Sequence, residues 1–133
     1  MRVLLAAIGG AAGAAIRWSV GGWLDSDAGS VSWALVVVNL VGCALIGVAL
    51  AVVDPESWQW PLFVTGGLGG VTTMSAFAIS TERLIDADAL GAAAWTVALH
   101  VLGGMAAVFA GERFARRWQP ALGTTAPRAR PAR

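Results

Sequence analysis

A chain of 133 residues is one domain by length, and at 57% hydrophobic and 13% charged residues it lacks the polar surface of a soluble fold, which carries about a quarter charged residues. With a mean hydropathy of +0.70, it reads as an integral membrane protein. The net charge of +1 conceals an asymmetry, since there is no lysine and six arginines lie beyond residue 112; that basic end suits the cytoplasmic membrane surface, and little soluble surface is left to hold nucleic acid.

Arg2 precedes an apolar, small-residue stretch, a pattern that a signal peptide shares. Three more hydrophobic runs follow, so the first segment is expected to stay in the membrane. The hydropathy predicts four spans, over residues 3–20, 33–53, 60–79 and 90–110. Trp23, Trp33, Trp58, Trp60 and Trp118 fall near their ends, as interfacial aromatics do. The connectors are short and acidic, carrying Asp25 and Asp27, then Asp54 and Glu56, then Glu82, Asp86 and Asp88. No strand and no internal repeat is expected. Residues 1–112 make a four-helix membrane domain, and 113–133 a basic, disordered cytoplasmic tail.

The first span contains Gly9 to Trp18, G-G-A-A-G-A-A-I-R-W. Glycines 9, 10 and 13 suit close helix contact. Arg17 is costly at mid-bilayer, by about 3 kcal/mol; it either snorkels to the headgroups or places a positive charge in a vestibule that draws anions. The second span contains Val38 to Gly47, V-N-L-V-G-C-A-L-I-G, with Asn39 its one strongly polar residue. An unpaired amide in hydrocarbon is costly, so Asn39 either bonds a neighbouring helix or lines a pore, where its NH2 has two donors for an anion. Cys43 is the lone cysteine, which excludes a disulfide framework and a thiolate metal cluster.

The third span carries Gly66 to Phe77, G-G-L-G-G-V-T-T-M-S-A-F. Four glycines in five residues make backbone excursions cheap, and a continuous helix is not expected there. In a membrane a broken helix persists where protein, water or an ion meets the freed backbone groups, as at mid-membrane ion sites. Close helix packing is the competing explanation of the same glycines. In the fourth span, His100 is a candidate for proton relay or for a hydrogen-bonded packing role.

Three motifs together resemble the CrcB/Fluc fluoride channels: Gly9 to Trp18, Val38 to Gly47, and Gly69 to Phe77. Each is weak alone, but their order, spacing and four-helix setting match over nearly everything before the tail. The resemblance implies a channel, not an enzyme, built as an antiparallel dimer of four-helix subunits with two fluoride pathways. It implies a structural, non-transported Na+ held by backbone carbonyls at the third-helix break, here those of Gly69 and Thr72. It maps the pore asparagine onto Asn39 and the vestibule arginine onto Arg17. Two pore phenylalanines map onto Met74 and Phe77, with the hydroxyl of Ser75 between them. Ser80 stands where the family often has a glutamate, and Trp18, Ala44 and Ala76 are further departures. Met74 matters most, because a thioether lacks the positive ring edge with which phenylalanine can meet an anion.

The expected function is passive, fluoride-selective efflux across the cytoplasmic membrane. The alternatives are a structural subunit with degenerate pores, completing a heterodimer, and a proton-coupled transporter using Arg17 and His100. Four spans would put both termini and the second loop on one side with Arg2, Arg113, Arg116, Arg117, Arg128, Arg130 and Arg133, against Arg83 opposite, and Arg17 if it reaches that interface; without the distal tail arginines the bias is four against one or two. Arginine marks the cytoplasmic side, so one orientation is expected, and hence a partner that is a homologous, oppositely inserted subunit.

Overall fold

The computed structural model describes residues 1–21 and 29–122. Trp23, Asp25, Asp27 and the tail beyond residue 122 lie outside the described residues. Within them the chain is helical, with no strand. Helix α1 runs Arg2–Gly21 and α2 runs Trp33–Val52. A third rod consists of a π-wound segment Trp60–Leu68, the single turn α3 (Gly69–Val71) and, after a break, α4 (Met74–Asp86). The fourth rod joins α5 (Leu90–Ala98), a π-wound segment Leu99–Gly103, and α6 (Gly104–Leu122).

Among the described residues, three helices are long and apolar enough to cross a membrane: Trp33–Val52, Trp60–Asp86 and Leu90–Trp118. The expected count was four. Helix α1 has the length, at 20 residues, but it is built largely of Ala and Gly and carries Arg2 and Arg17. Those residues dilute its hydropathy without preventing a helix, since Ala is the strongest helix former.

The rod that begins at Leu90 also outruns the expected end of the membrane domain. Residues 113–122 continue α6, where Ala115, Arg116 and Arg117 are good helix formers. Glu112 and Arg116 pair across one turn at 2.8 Å, the spacing that supports an exposed helix.

Glycines make the two main crossings. Gly9 and Gly13 on α1 face Gly66 and Gly70 on the third rod, each pair four residues apart. A Cβ on Gly66 would stand 2.8 Å from the Gly10 nitrogen, and one on Gly70 3.0 Å from that of Ala14. In return, a Cβ on Gly9 would stand 2.9 Å from the Gly67 nitrogen, and one on Gly13 3.0 Å from that of Val71. Two backbones thus touch through small-xxx-small faces, the arrangement that substitutes dispersion contact for the absent hydrophobic effect in lipid. The second crossing sets Gly47 of α2 against Val108 and Glu112, and Gly111 of α6 against Ala44.

Few large side chains fill the interior. The buried apolar set includes Leu35, Val36, Val64 and Leu84, while Val37, Phe63, Leu102 and Phe109 are more than half exposed. An exterior this apolar suits lipid or another subunit, not water.

Gly9→Ala should therefore lower stability by about 1–3 kcal/mol through overpacking. Its neighbour Gly10, whose Cβ would meet nothing within 4 Å, should tolerate alanine or gain from it. Tryptophan-monitored thermal unfolding in detergent checks this. Equal losses at the two positions would contradict the crossing.

Candidate functional site at the break in the third helix

The helical path stops after Val71. Thr72 (φ −71°, ψ 145°) and Thr73 (φ −140°, ψ 116°) are both extended. The glycines themselves are not the break: Gly69 is right-handed helical, at φ −64° and ψ −29°. Gly66 and Gly70 serve close packing instead, and two β-branched threonines take the extended backbone that such residues favour. Close packing thus accounts for Gly66 and Gly70, and the interruption expected at the glycines falls instead at Thr72 and Thr73.

The break is stabilised from α2. The Thr73 N–H donates to Asn39 Oδ1 at 3.0 Å, with Asn39 and Thr73 8% and 7% exposed. A backbone N–H can only donate, so the carboxamide oxygen must face it, and the amide NH2 points elsewhere with its two donors. Three residues along α2, a Cβ at Gly42 would run into Thr72 Cγ2. Asn39 and Gly42 therefore share one face of α2, a hydrogen-bond acceptor beside a notch, and receive Thr73 and Thr72 respectively.

The threonines complete the ends on either side. Thr72 donates both its backbone N–H and its hydroxyl to the Leu68 carbonyl, each at 2.9 Å. Thr73 Oγ1 accepts the Ala76 N–H at 3.1 Å and lies 3.0 Å from Ser75 Oγ. It is the N-cap of α4, a position at which threonine satisfies an otherwise orphaned amide. In an unbroken helix, the N–H groups of Thr73 and Ala76 would bond the carbonyls of Gly69 and Thr72. Here both amides are directed to side chains. The break thus sets carbonyls freed from helical pairing beside the positively polarised N-terminus of α4.

The other expected site residues lie around this centre. Ser75 is exposed, and Met74 is 74% exposed. Phe77 is half-buried, its ring centroid 4.7 Å from that of His100. Ser80 is half-buried one turn beyond Phe77. Arg17 is half-buried on the face of α1 that carries Gly9 and Gly13, one turn past the crossing. No described hydrogen bond or ion pair joins Arg17 or Ser80 to the rest. Among the described residues no cluster of three His, Cys, Asp or Glu side chains could hold a metal.

Two participants were missed from sequence, Thr73 and Gly42. Gly42 stands three residues after Asn39 in the same motif, which is the signal that was there to use.

The family model described as CrcB-like protein, Camphor Resistance (CrcB), matches residues 4–112. The chain is 43% identical over 110 residues to the fluoride-specific ion channel FluC of Bordetella petrii, covering 80% of this chain and 84% of that one. It is 33% identical over 118 residues to FluC of Haemophilus ducreyi, covering 89% and 94%. With FluC 1 of Streptomyces coelicolor the identity is 35% over 119 residues, covering 86% and 77%.

The notch gives a compensation test. Gly42→Ala should cost about 1–3 kcal/mol by overpacking against Thr72 Cγ2. Thr72→Ser removes that methyl and keeps the hydroxyl on Leu68, so the double variant should recover most of the loss. Simple addition of the two losses, measured by thermal unfolding, would contradict the contact.

Proposed function

The chain belongs to the CrcB family, and on that premise we propose that it is a membrane-embedded, fluoride-selective channel subunit that lowers cytoplasmic fluoride by passive efflux. Hydrogen fluoride crosses lipid uncharged and ionises inside, so the anion needs its own exit.

The observation that carries this reading is the bond from Thr73 to Asn39 Oδ1. It holds the carboxamide by its oxygen and so reserves the NH2 as donor, the polarity that an anion requires. Around it lie other uncharged groups able to meet a small, strongly accepting anion: the hydroxyl of Ser75, the ring edge of Phe77 and the hydroxyl of Ser80. Arg17, one turn past the glycine crossing, would attract anions at the mouth. Weak, repeated sites of this kind allow an ion to enter and also to leave.

The carbonyls of Gly69 and Thr72 fit a hard cation, which takes oxygen ligands, because the amides that would occupy them in a continuous helix bond elsewhere. We assign a structural Na+ to them, shared with a second subunit, since two carbonyls make an incomplete shell. The ion would join subunits and take no part in conduction.

The dimer is proposed to be antiparallel, with α1 as the fourth crossing and both termini cytoplasmic. Arg2, Arg113, Arg116 and Arg117 would then face Arg83 across the membrane, a bias toward one orientation that favours an oppositely inserted homologue as partner. Exposed Met74 supports the same choice. At 74% exposure it is available to a neighbouring subunit, which would supply the aromatic edge that a thioether lacks. A subunit whose own pore is degenerate is the second reading, resting on this residue.

Reconstituted protein should release fluoride from liposomes electrogenically, without a proton gradient and without comparable chloride flux. Asn39→Asp keeps an oxygen for Thr73 but replaces the donor with an acceptor when ionised. It should cut fluoride flux at least about tenfold, a loss of roughly 1.4 kcal/mol, while assembly persists. Unchanged flux per assembled protein would remove Asn39 from the pathway. No flux from the chain alone or with a homologous partner would overturn the channel.

A further inference from the structure

The ring of His100 is held by a single bond, Nδ1 to the Thr96 carbonyl at 2.8 Å. A carbonyl can only accept, so Nδ1 carries the proton of the neutral imidazole, and Nε2 is left with a lone pair. Nε2 is buried and has no hydrogen-bond partner. One turn earlier on the same face, the Thr96 hydroxyl is also buried and unpartnered, in a residue 1% exposed. Two orphaned polar atoms in one place are costly and point to a ligand. His100 lies where the helix winds into π geometry, at Leu99–Gly103, a distortion frequent at functional sites, and Thr96 lies in the α5 turn just before it. The ring also packs against Phe77, on the α4 helix that follows the break.

The two orphans differ in chemistry. The hydroxyl can turn its proton toward an anion. The neutral imidazole cannot, because it presents a lone pair, and an anion there would meet repulsion. One added proton converts Nε2 into a charged donor while Nδ1 keeps its bond to Thr96.

We propose that His100 is a proton-operated donor beside Phe77: when protonated at Nε2 it forms, with the Thr96 hydroxyl, an anion subsite that the neutral ring closes. The inference rests on the fluoride-channel reading and adds that conduction rises as pH falls. No bond to fluoride is made or broken; the proton comes from solvent and returns to it. Binding of proton and anion is reciprocal, each strengthening the other. The sign suits the task, because acid conditions drive hydrogen fluoride inward.

The charged groups of the elements around His100 stand away from it in sequence. On α4, the charged residues Glu82, Arg83 and Asp86 come at least five positions after Phe77. On α2, Cys43 is the only titratable side chain, and α5 has none. On α6, the first charged residue is Glu112, a dozen positions after His100, followed by Arg113, Arg116 and Arg117. Among the described residues none forms an ion pair with the ring.

Fluoride current through the reconstituted protein, corrected for protein-free membranes, should be at least about fivefold larger at about pH 5.5 than at about pH 8. His100→Gln, whose side chain does not titrate, should flatten that profile. In parallel, nitrogen NMR of the labelled ring in wild-type protein should show Nδ1 protonated and Nε2 bare at about pH 8, and fluoride should increase proton uptake at Nε2. A pH-independent wild-type current, a profile that survives His100→Gln, or a proton on Nε2 instead of Nδ1 at the higher pH would each overturn the proposal. Absence of fluoride current at every pH would instead sink the channel reading beneath it.

Discussion

The bond from the Thr73 amide to the Asn39 side chain is where fold and site meet. Within hydrocarbon a backbone amide must be paired, and the usual partner is the carbonyl four residues back. Here that partner would be Gly69, and Asn39 takes the amide instead at 3.0 Å. The consequences run in both directions along the chain. Upstream, a carbonyl is freed; downstream, Thr73 is released into the extended conformation in which its hydroxyl caps α4. One carboxamide thereby ends one helix, starts another, and keeps its own NH2 for use elsewhere.

That bond needs α2 and the third rod at a fixed distance, which small residues provide. Gly42 leaves a notch for the Thr72 methyl, and Gly9, Gly13, Gly66 and Gly70 let α1 lie backbone to backbone on the third rod. Few large side chains are buried, so register depends on these contacts more than on a bulky core. Position and chemistry are consequently coupled: residues that lock the helices are neighbours in sequence of residues that carry polar function.

Much of this was legible from sequence because membranes punish polar and flexible residues. Asn39 stood out as the one strongly polar residue of its span, and the rod from Trp60 to Asp86 is indeed interrupted. The location of the interruption was not legible. Glycine permits a break without demanding one, and here the glycines stay helical because a neighbouring backbone needs their space. The threonines break instead, because a side chain on another helix captures an amide, which no local pattern reports. The same limit applies at the ends. Alanine and glycine in α1 give a helix of spanning length without strong hydropathy, and the paired Glu112 and Arg116 prolong α6 past the apolar run. His100 was visible as an oddity, but its tautomer follows only from the Thr96 carbonyl beside it.

The central claim, that Asn39 opens the third helix by taking the Thr73 amide, is most directly tested by solid-state NMR in lipid. Protein labelled with nitrogen-15 at the Thr73 amide and carbon-13 at Asn39 Cγ, or at the Gly69 carbonyl in a second sample, should show a through-space dipolar coupling from the nitrogen to Asn39 Cγ, as a 3.0 Å hydrogen bond to Oδ1 places them close. A Thr73 nitrogen coupled instead to the Gly69 carbonyl carbon, with none to Asn39, would mean an unbroken helix and would contradict the account.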